Sequence, residues 1–443
     1  MKTQKASAVL SLFPLTARIN AEKQLCIGGC NVVNLAREFS TPLYLFDEFT
    51  IRHQCREFAA EFSKYYPGTQ VIYASKAFLN RSLVLLLHEE GLGLDAVSAG
   101  EISIMNSVNF PLDKVYFHGN NKTPAELNLA LDLRVGHIVA DNLQDISTLD
   151  KLAGEKKVKQ KLLLRLTPNV DPHTHQYTTT GVLDSKFGLP IVTGQAEEAV
   201  KQAMAAPNLS LVGLHFHLGS PIFETEPYEM AMEIVLRFAR EMKQLYNFHL
   251  EKLSIGGGFA VPYTAGVTAL SISNYAANIA GKLNSLIAET GLARPELIIE
   301  PGRSLVAQAG VALYQVGTIK EIPGVRKYVA LDGGMSDNIR PALYGAKYEA
   351  LVANKALEDT KEETVTLVGK MCESGDIIIR DISLPQLVPG DIIAVPVCGA
   401  YSVPMWNNYN ASLKPAIIML KEGSARLIQR RENYHDLLNL DTI

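Results

Sequence analysis

The sequence predicts an α/β protein that combines a TIM-type (β/α)8 barrel with a C-terminal all-β domain of the barrel or sandwich kind. Eight short apolar runs recur between residues 70 and 302, and such continuous runs are typical of strands buried on both faces of a parallel sheet. Segments with helical periodicity lie between them, as in βαβ units. After residue 310, strands and turns follow one another without long helices, which indicates a second domain.

The eight apolar runs bear on the choice between a closed barrel and an open, Rossmann-like sheet. They cover 70–76, 92–98, 114–119, 137–142, 161–168, 211–217, 252–258 and 296–302. Their number, and the length of chain that they span, match an eight-stranded barrel, whose usual size is about 250 residues. The sequence therefore favours closure, and the open sheet stays as the competing prediction.

The predicted β domain rests on seven strand-like runs. They lie within 311–322, 326–334, 362–371, 375–384, 390–399, 414–420 and 425–432. The first 42 residues are also short and strand-like, and we expect them to join this domain. The predicted boundaries are therefore 1–42 for an N-terminal segment of the β domain, 43–310 for the barrel and 311–443 for the C-terminal β domain.

Composition and charge exclude several classes of protein. The 443 residues are 47% hydrophobic and 20% charged, with a formal net charge of -4. A nucleic-acid partner usually requires a basic face. No apolar run reaches the roughly 18 residues of a membrane helix. The N-terminal apolar stretch is interrupted by Ser11 and Pro14 and lacks the cleavage site of a signal peptide. We expect no nucleic-acid and no membrane partner.

The cysteines indicate a reducing compartment. An odd, sparse set in a long chain is typical of such a compartment, so we expect a cytoplasmic protein. Cys26 and Cys30 flank two glycines in CIGGC, which resembles half of a metal site. No second Cys or His pair follows at metal-ligand spacing. A turn between two short strands is therefore the favoured interpretation, and we expect no metal.

Reactive side chains and glycines stand at the ends of the predicted barrel strands, where TIM barrels place their active sites. They are Lys76, Asp95, His118, Arg165, His215, His217, Gly256, Gly257, Gly258, Glu300, Gly302 and Arg303. Each has an ordinary explanation, such as a solvated lysine, a core histidine or a tight turn. Together they indicate a pyridoxal 5'-phosphate site. Such a site needs an amine, an imidazole, a glycine turn able to hold a dianion and an acid able to pair with a pyridine ring.

Several motifs make the chain resemble the fold type III pyridoxal-phosphate-dependent decarboxylases. They are YASKAF (73–78), FHGNNKT (117–123), HFHLGS (215–220), GGGF (256–259), EPGRS (300–304), RPALY (340–344), CESGD (372–376) and the tail GAY…YN (399–410). The likeness runs through nearly the whole chain. Two places depart from the usual pattern: the tail reads GAYSVPMWNNYN, and Pro221 follows HLGS where glutamine is more usual.

The resemblance implies a role for each of these residues. Lys76 would hold the cofactor covalently, His217 would stack on its ring, and Glu300 would pair with its ring nitrogen. Asp95, Arg165, Ser220, Gly257, Gly258, Gly302, Arg303 and Tyr401 would complete the cofactor site, several of them at the phosphate end. Cys372 would be the catalytic acid and would come from the other subunit of a homodimer. Residue types alone leave Cys372 as a small buried hydrophobe.

The resemblance also implies a substrate, meso-2,6-diaminopimelate, decarboxylated to L-lysine and CO2. Arg303, Arg340, Tyr344, Glu373 and Tyr401 would bind it, since arginine forks suit a second carboxylate. Three alternatives remain open. They are a related decarboxylase acting on another basic or D-amino acid such as ornithine or lysine, a regulatory homologue without catalysis, and a racemase, which would need a tyrosine base where CESGD stands.

Overall fold

The structure is a computed structural model, and it describes residues 8–172, 179–356 and 361–442. The described residues form two compact units. The barrel unit comprises those of Cys55–Ala260 and Ala269–Gly302, and the β unit comprises those of Met1–Gln54, Val261–Thr268 and Arg303–Ile443. Of the predicted N-terminal segment, residues 1–7 lie outside the described part of the chain.

Eight parallel strands close into a barrel in the barrel unit. Each pairs with the next along the chain, and the last, Glu296–Ile299, pairs with the first, Gln70–Tyr73. The other six are Gly93–Ala96, Val115–Phe117, His137–Ala140, Gln160–Thr167, Leu209–His215 and Lys252–Ser254. Because every strand has two partners, the sheet has no free edge. The predicted barrel is confirmed, and the open sheet is wrong.

Helices follow most barrel strands. They are Arg81–Glu89, Ala99–Asn106, Pro124–Asp132, Leu143–Lys156, Gln195–Ala205, Glu226–Tyr246 and Ile272–Thr290. A short strand, Leu189–Pro190, pairs with the fifth barrel strand, and a 3-10 turn spans Leu112–Lys114. Side-chain caps begin several helices. Thr123 and Glu126, for example, form a reciprocal capping box at the start of Pro124–Asp132. Such local signals agree with the helical periodicity of these segments.

The β unit contains the seven strands predicted after residue 310. They are Gly310–Ile322, Arg326–Leu331, Glu362–Val368, Ile377–Pro385, Ile392–Val395, Ala416–Lys421 and Ser424–Gln429. Leu43–Asp47 and Leu351–Val352 also join this sheet. Arg18–Ile19, Leu25–Ile27 and Cys30–Asn31 form a separate small sheet. Short helices are Val32–Phe39, Arg303–Val306, Arg340–Tyr344 and Tyr434–Leu438. Helix Glu48–Tyr65 contains the boundary between the two units.

The boundaries of the two units differ from the predicted residues 43 and 310. Leu43–Asp47 pairs with Gly310–Ile322 and Ala416–Lys421, so it belongs to the β unit. A buried apolar strand followed by a helix has the same sequence pattern in either kind of unit. At the other end, the barrel unit stops at Gly302.

Two smaller features bear on the sequence analysis. Leu25–Ile27 and Cys30–Asn31 pair in antiparallel fashion across Gly28 and Gly29, as the turn interpretation of CIGGC predicts. Gly28 and Gly29 have φ angles of 58° and 83°, which glycine adopts readily. Within the three described ranges, no helix has both the length and the apolar character needed to cross a membrane.

Candidate active site

The lysine predicted at the end of the first barrel strand lies in the turn after that strand. Lys76 is the middle residue of a 3-10 turn over Ser75–Ala77, and its side chain is exposed. Asp95, buried on the second strand, holds this turn. Its carboxylate accepts a hydrogen bond of 2.7 Å from the Ser75 N–H, and its backbone carbonyl accepts one from the Ser75 hydroxyl. Burial, and next Glu300, raise the pKa of Asp95 well above its usual range. Asp95 thus fixes the backbone that carries Lys76.

Glu300 lies one residue beyond the last barrel strand and is only 6% exposed. Its Oε1 accepts a hydrogen bond of 2.7 Å from the Ser254 hydroxyl, and its Oε2 lies 3.2 Å from His215 Nε2. His118 Nε2 lies 3.6 Å from Oε1. Burial alone would raise the pKa of Glu300, but His215, His118 and Ser254 outweigh it and hold the pKa well below its usual range. Glu300 is therefore a buried, ionised carboxylate.

His217 follows the sixth barrel strand by two residues and is half-buried. Its Nδ1 accepts a hydrogen bond of 3.3 Å from the Gly257 N–H. Burial, and next the positive charge of Lys76, hold its pKa well below its usual range, so the ring is neutral at pH 7. Because Nδ1 is an acceptor, the proton of the neutral ring is on Nε2.

The glycine turn after the seventh strand has no room for side chains. Gly258 has a φ angle of 109°, and a Cβ placed on it would lie 2.5 Å from the carbonyl oxygen of Gly219. A Cβ on Gly257 would collide with the carbonyl oxygen of Glu300, and one on Gly302 would lie 2.8 Å from Ala74 Cβ. Ser220, half-buried, follows Gly219 directly. Gly257, Gly258 and Gly302 therefore cannot be replaced by larger residues without moving the neighbouring backbone or side chains.

Arg165 is buried on the fifth barrel strand, and its guanidinium lies over the ring of Phe187 at 4.4 Å from the centroid. Asp141 Oδ1 lies 3.7 Å from its Nη1. Asp141 also accepts a hydrogen bond of 3.0 Å from the Gly188 N–H, and this fixes the carboxylate. Arg165 is therefore held by an aromatic face and a carboxylate rather than by solvent.

The residues of the barrel unit fit pyridoxal phosphate. Glu300 is ionised although it is buried, and a protonated ring nitrogen is the cationic partner that such a carboxylate needs. The neutral ring of His217 lies beside the glycine turn, because its Nδ1 accepts the hydrogen bond from the Gly257 N–H. Only glycine fits at Gly257 and Gly258, and a glycine turn of this kind can hold an anion through backbone N–H groups. An exposed amine, Lys76, is available for covalent attachment.

A cluster of two arginines and three tyrosines lies in the β unit. Arg303 and Arg340 are 6% and 7% exposed. Arg303 donates a hydrogen bond of 2.8 Å to the Tyr263 hydroxyl, and its guanidinium lies over the rings of Tyr263 and Tyr401. Arg340 donates a hydrogen bond to the Tyr348 hydroxyl. Tyr401 has a φ angle of 64°, a left-handed conformation that non-glycine residues seldom adopt. We call these five residues the arginine cluster.

The remaining predicted residues of the β unit lie at two other places. Tyr344 is half-buried at the end of the short helix that Arg340 begins. Cys372 and Glu373 are exposed on the connection between strands Glu362–Val368 and Ile377–Pro385. The Cys372 N–H donates a hydrogen bond of 2.9 Å to Asn410 Oδ1, which ties this connection to the tail motif.

Comparison with known proteins gives one consistent answer. Residues 49–307 match the family described as "Pyridoxal-dependent decarboxylase, pyridoxal binding domain". The chain is 44% identical to the diaminopimelate decarboxylase of Bacillus subtilis (strain 168) over 426 residues, which are 96% of this chain and 97% of that protein. The chain belongs to the pyridoxal-dependent decarboxylases.

Solved structures of diaminopimelate decarboxylases have the same fold as this family member. The one from M. jannaschii in complex with L-lysine superposes with a TM-score of 0.91 at 33% identity, covering 97% of this chain and 98% of that one. The one from Helicobacter pylori with L-lysine gives a TM-score of 0.84 at 31% identity, covering 93% and 99%. The fold type III assignment is therefore confirmed.

The sequence analysis missed three residues of this decarboxylase that the structure places beside predicted ones. Ser254 donates to Glu300, and Tyr263 and Tyr348 accept from the two arginines. Ser254 ends the seventh barrel strand, so the rule that found the other strand-end residues applied to it as well. Tyr263 lies in a loop without a motif, and its signal was weak: an aromatic residue shortly after the glycine turn.

Proposed function

We propose that this decarboxylase converts meso-2,6-diaminopimelate to L-lysine and CO2, with pyridoxal 5'-phosphate held by Lys76. The choice of substrate rests on one observation: two buried arginines, Arg303 and Arg340, lie together with tyrosines in the β unit. A buried guanidinium fork suits bidentate binding of a carboxylate. A decarboxylase needs no second carboxylate site unless its substrate carries a second carboxylate.

The residues of the barrel unit would serve the cofactor. Glu300, ionised and held by Ser254 and His215, would keep a proton on the ring nitrogen. When bound, the cofactor draws the electrons that loss of CO2 releases into its protonated ring. Neutral His217 would stack on the ring without adding charge beside it. Asp95 would hold the Lys76 turn, and Arg165 would border the site.

The phosphate group would be bound at the glycine turn. Ser220 would supply a hydroxyl, and Gly258 and Gly302 would supply backbone N–H groups to the phosphate oxygens. Gly257, whose N–H donates to His217, would fix the turn beside them. Tyr401 would complete this end. Arg303 follows Gly302 directly in the chain.

The β-unit residues would bind the distal end of the substrate. Arg303 and Arg340 would bind its carboxylate, with Tyr344 and Tyr401 beside them. Glu373 would form an ion pair with the distal ammonium group of the substrate. Cys372 would deliver a proton from Sγ to the carbon that has lost CO2. Its exposure in the single chain agrees with a role at the site of a partner subunit in a homodimer.

Turnover of a small substrate panel tests the proposal. The purified protein is incubated with meso-diaminopimelate, L-ornithine, L-lysine and D-lysine, and CO2 and amine products are measured. We expect CO2 and L-lysine from meso-diaminopimelate. Turnover of ornithine or D-lysine, with none of diaminopimelate, would instead favour the other-substrate alternative.

A second experiment separates an enzyme from a regulatory homologue. The visible absorbance of lysine-bound pyridoxal phosphate should be present in the wild-type protein and absent in Lys76→Ala. Mixing inactive Lys76→Ala and Cys372→Ala proteins should restore part of the activity if the two residues meet across a dimer. A colourless wild-type protein that takes up no added cofactor would favour the regulatory homologue. No recovery, despite demonstrated subunit exchange, would contradict the shared site.

A further inference from the structure

Tyr263 is the centre of the arginine cluster. It belongs to Val261–Thr268, the segment of the β unit that lies in the chain between the glycine turn and helix Ile272–Thr290. Its hydroxyl accepts the hydrogen bond of 2.8 Å from Arg303 Nη1. The guanidinium of Arg340 lies over its ring, 4.8 Å from the centroid, and Tyr348 packs against the ring edge-to-face at 5.5 Å. One side chain therefore contacts both guanidinium groups.

This arrangement answers an electrostatic problem. Arg303 and Arg340 are both more than nine-tenths buried, and two buried positive charges repel each other and lose hydration. In the described part of the chain, Arg340 has no carboxylate within ion-pairing distance, and its hydrogen bond goes to the Tyr348 phenol. An aromatic face and a phenol oxygen each offer partial negative charge to a guanidinium. Tyr263 offers its oxygen to one arginine and its ring to the other.

The titration of Tyr263 agrees with this contact. Burial alone would raise the pKa of its hydroxyl, but Arg303 and Arg340 outweigh burial and lower the pKa from its ordinary value. The two guanidiniums thus favour negative charge on the phenol oxygen. A substrate carboxylate would satisfy the same preference with a full charge.

We propose that Tyr263 is a positioning residue for the clamp that binds the distal carboxylate. It holds Arg303 and Arg340 at a fixed separation before the substrate arrives, so that less ordering is needed on binding. It thereby determines specificity: it favours amino acids with a second carboxylate over those without one. The proposal rests on the proposed function and adds a residue to it.

Tyr263→Phe tests the role, because it removes the hydroxyl and keeps the ring. The matched control is Tyr434→Phe, which alters an exposed tyrosine at the start of the last short helix. We expect Tyr263→Phe to raise KM for meso-diaminopimelate about tenfold, the usual effect of losing a hydrogen bond to a charged group. The kcat should stay near that of the control, as should kcat/KM for D-lysine, which has no second carboxylate. An equal loss with both substrates, or no loss with either, would overturn the proposal.

A binding measurement keeps this test separate from the proposed function. Pimelate, a dicarboxylate that cannot be decarboxylated by amine chemistry, is titrated calorimetrically into the holoenzyme. We expect wild type and Tyr434→Phe to bind it alike and Tyr263→Phe to bind it about tenfold more weakly. Equal binding by all three proteins, or no binding by the wild type, would refute the role of Tyr263. If pimelate binding depends on Tyr263 but diaminopimelate is not decarboxylated, the proposed function fails and the clamp stands.

Discussion

Replacing Asp376 with alanine should destabilise the connection that carries Cys372 and Glu373. The Asp376 carboxylate accepts hydrogen bonds of 2.6 Å from the Met335 N–H and 2.9 Å from the Met371 N–H. Its side chain is 3% exposed. It packs on Gly334, where an added Cβ would lie 2.5 Å from a carboxylate oxygen, and on Gly369, where a Cβ would collide with the carboxylate. Asp376 therefore joins the loop at Gly334 to the loop at Gly369, and each loop has a glycine where the carboxylate packs against it.

The magnitude follows from the two N–H groups that the alanine variant leaves without an acceptor. A buried donor without a partner costs about 1–3 kcal/mol, so the free energy of unfolding should fall by about 2–6 kcal/mol. Asp376→Asn keeps one acceptor oxygen and should lose about half as much. Asp113→Ala, at an exposed aspartate of the barrel unit, serves as the control and should change little.

Urea unfolding followed by circular dichroism measures these differences, and turnover measured below the transition reports on the connection. We expect Asp376→Ala to lower kcat while the absorbance of the lysine-bound cofactor is kept, because Lys76, which would hold the cofactor, and Glu300 lie in the barrel unit. An Asp376→Ala protein with the same urea midpoint and kcat as Asp113→Ala would refute this reasoning.

Three further predictions concern titration, the acid at the ring nitrogen and the glycine turn. Burial raises the pKa of Asp337 from 3.8 to about 7. The native state thus keeps a proton that the unfolded chain releases, and the unfolding free energy should fall as pH rises from about 4 to about 7, by up to ~4 kcal/mol. Asp337→Asn should remove this component in urea titrations at several pH values, and parallel curves for both proteins would contradict it. Glu300→Gln should lower kcat at least about 100-fold while the cofactor absorbance persists, because a neutral amide cannot hold a proton on the ring nitrogen; near-normal turnover would rule this out. Gly258→Ala should lose cofactor on dialysis, whereas Gly194→Ala, at a φ of 81° with open space around it, should retain it. Equal retention of cofactor by both variants would contradict the proposed phosphate site at the glycine turn.

The sequence predicted the barrel because its strands are buried on both faces. Eight continuous apolar runs need no knowledge of tertiary contacts, and each became a strand. Their ends were less certain: Lys76 was expected to end a strand, but the strand stops at Tyr73 and a 3-10 turn follows. A residue that reaches the barrel mouth lies after the last backbone hydrogen bond of its strand. A catalytic residue at this mouth is therefore found in the turn that follows the strand and not in the strand itself.

The contacts of the β unit were harder to predict. Arg303 and Arg340 were found through motifs, but Tyr263 lies 40 residues from Arg303 in the chain, in a loop without periodicity. Nothing local indicates that this loop joins the β unit. Leu43–Asp47 was placed in the wrong unit for a related reason, since its partners lie more than 260 residues away. Long-range pairing of this kind depends on packing that sequence patterns do not encode.

Competition between meso-diaminopimelate and L-ornithine in one reaction tests the central claim most directly. In the proposed function, a cofactor on Lys76 acts on a substrate whose second carboxylate is bound by Arg303 and Arg340. A site built to pair such a polar group discriminates strongly against substrates that lack it. We predict that diaminopimelate is consumed first, with a kcat/KM at least about a thousandfold higher and one L-lysine formed for each CO2. Equal or faster consumption of ornithine would contradict the account.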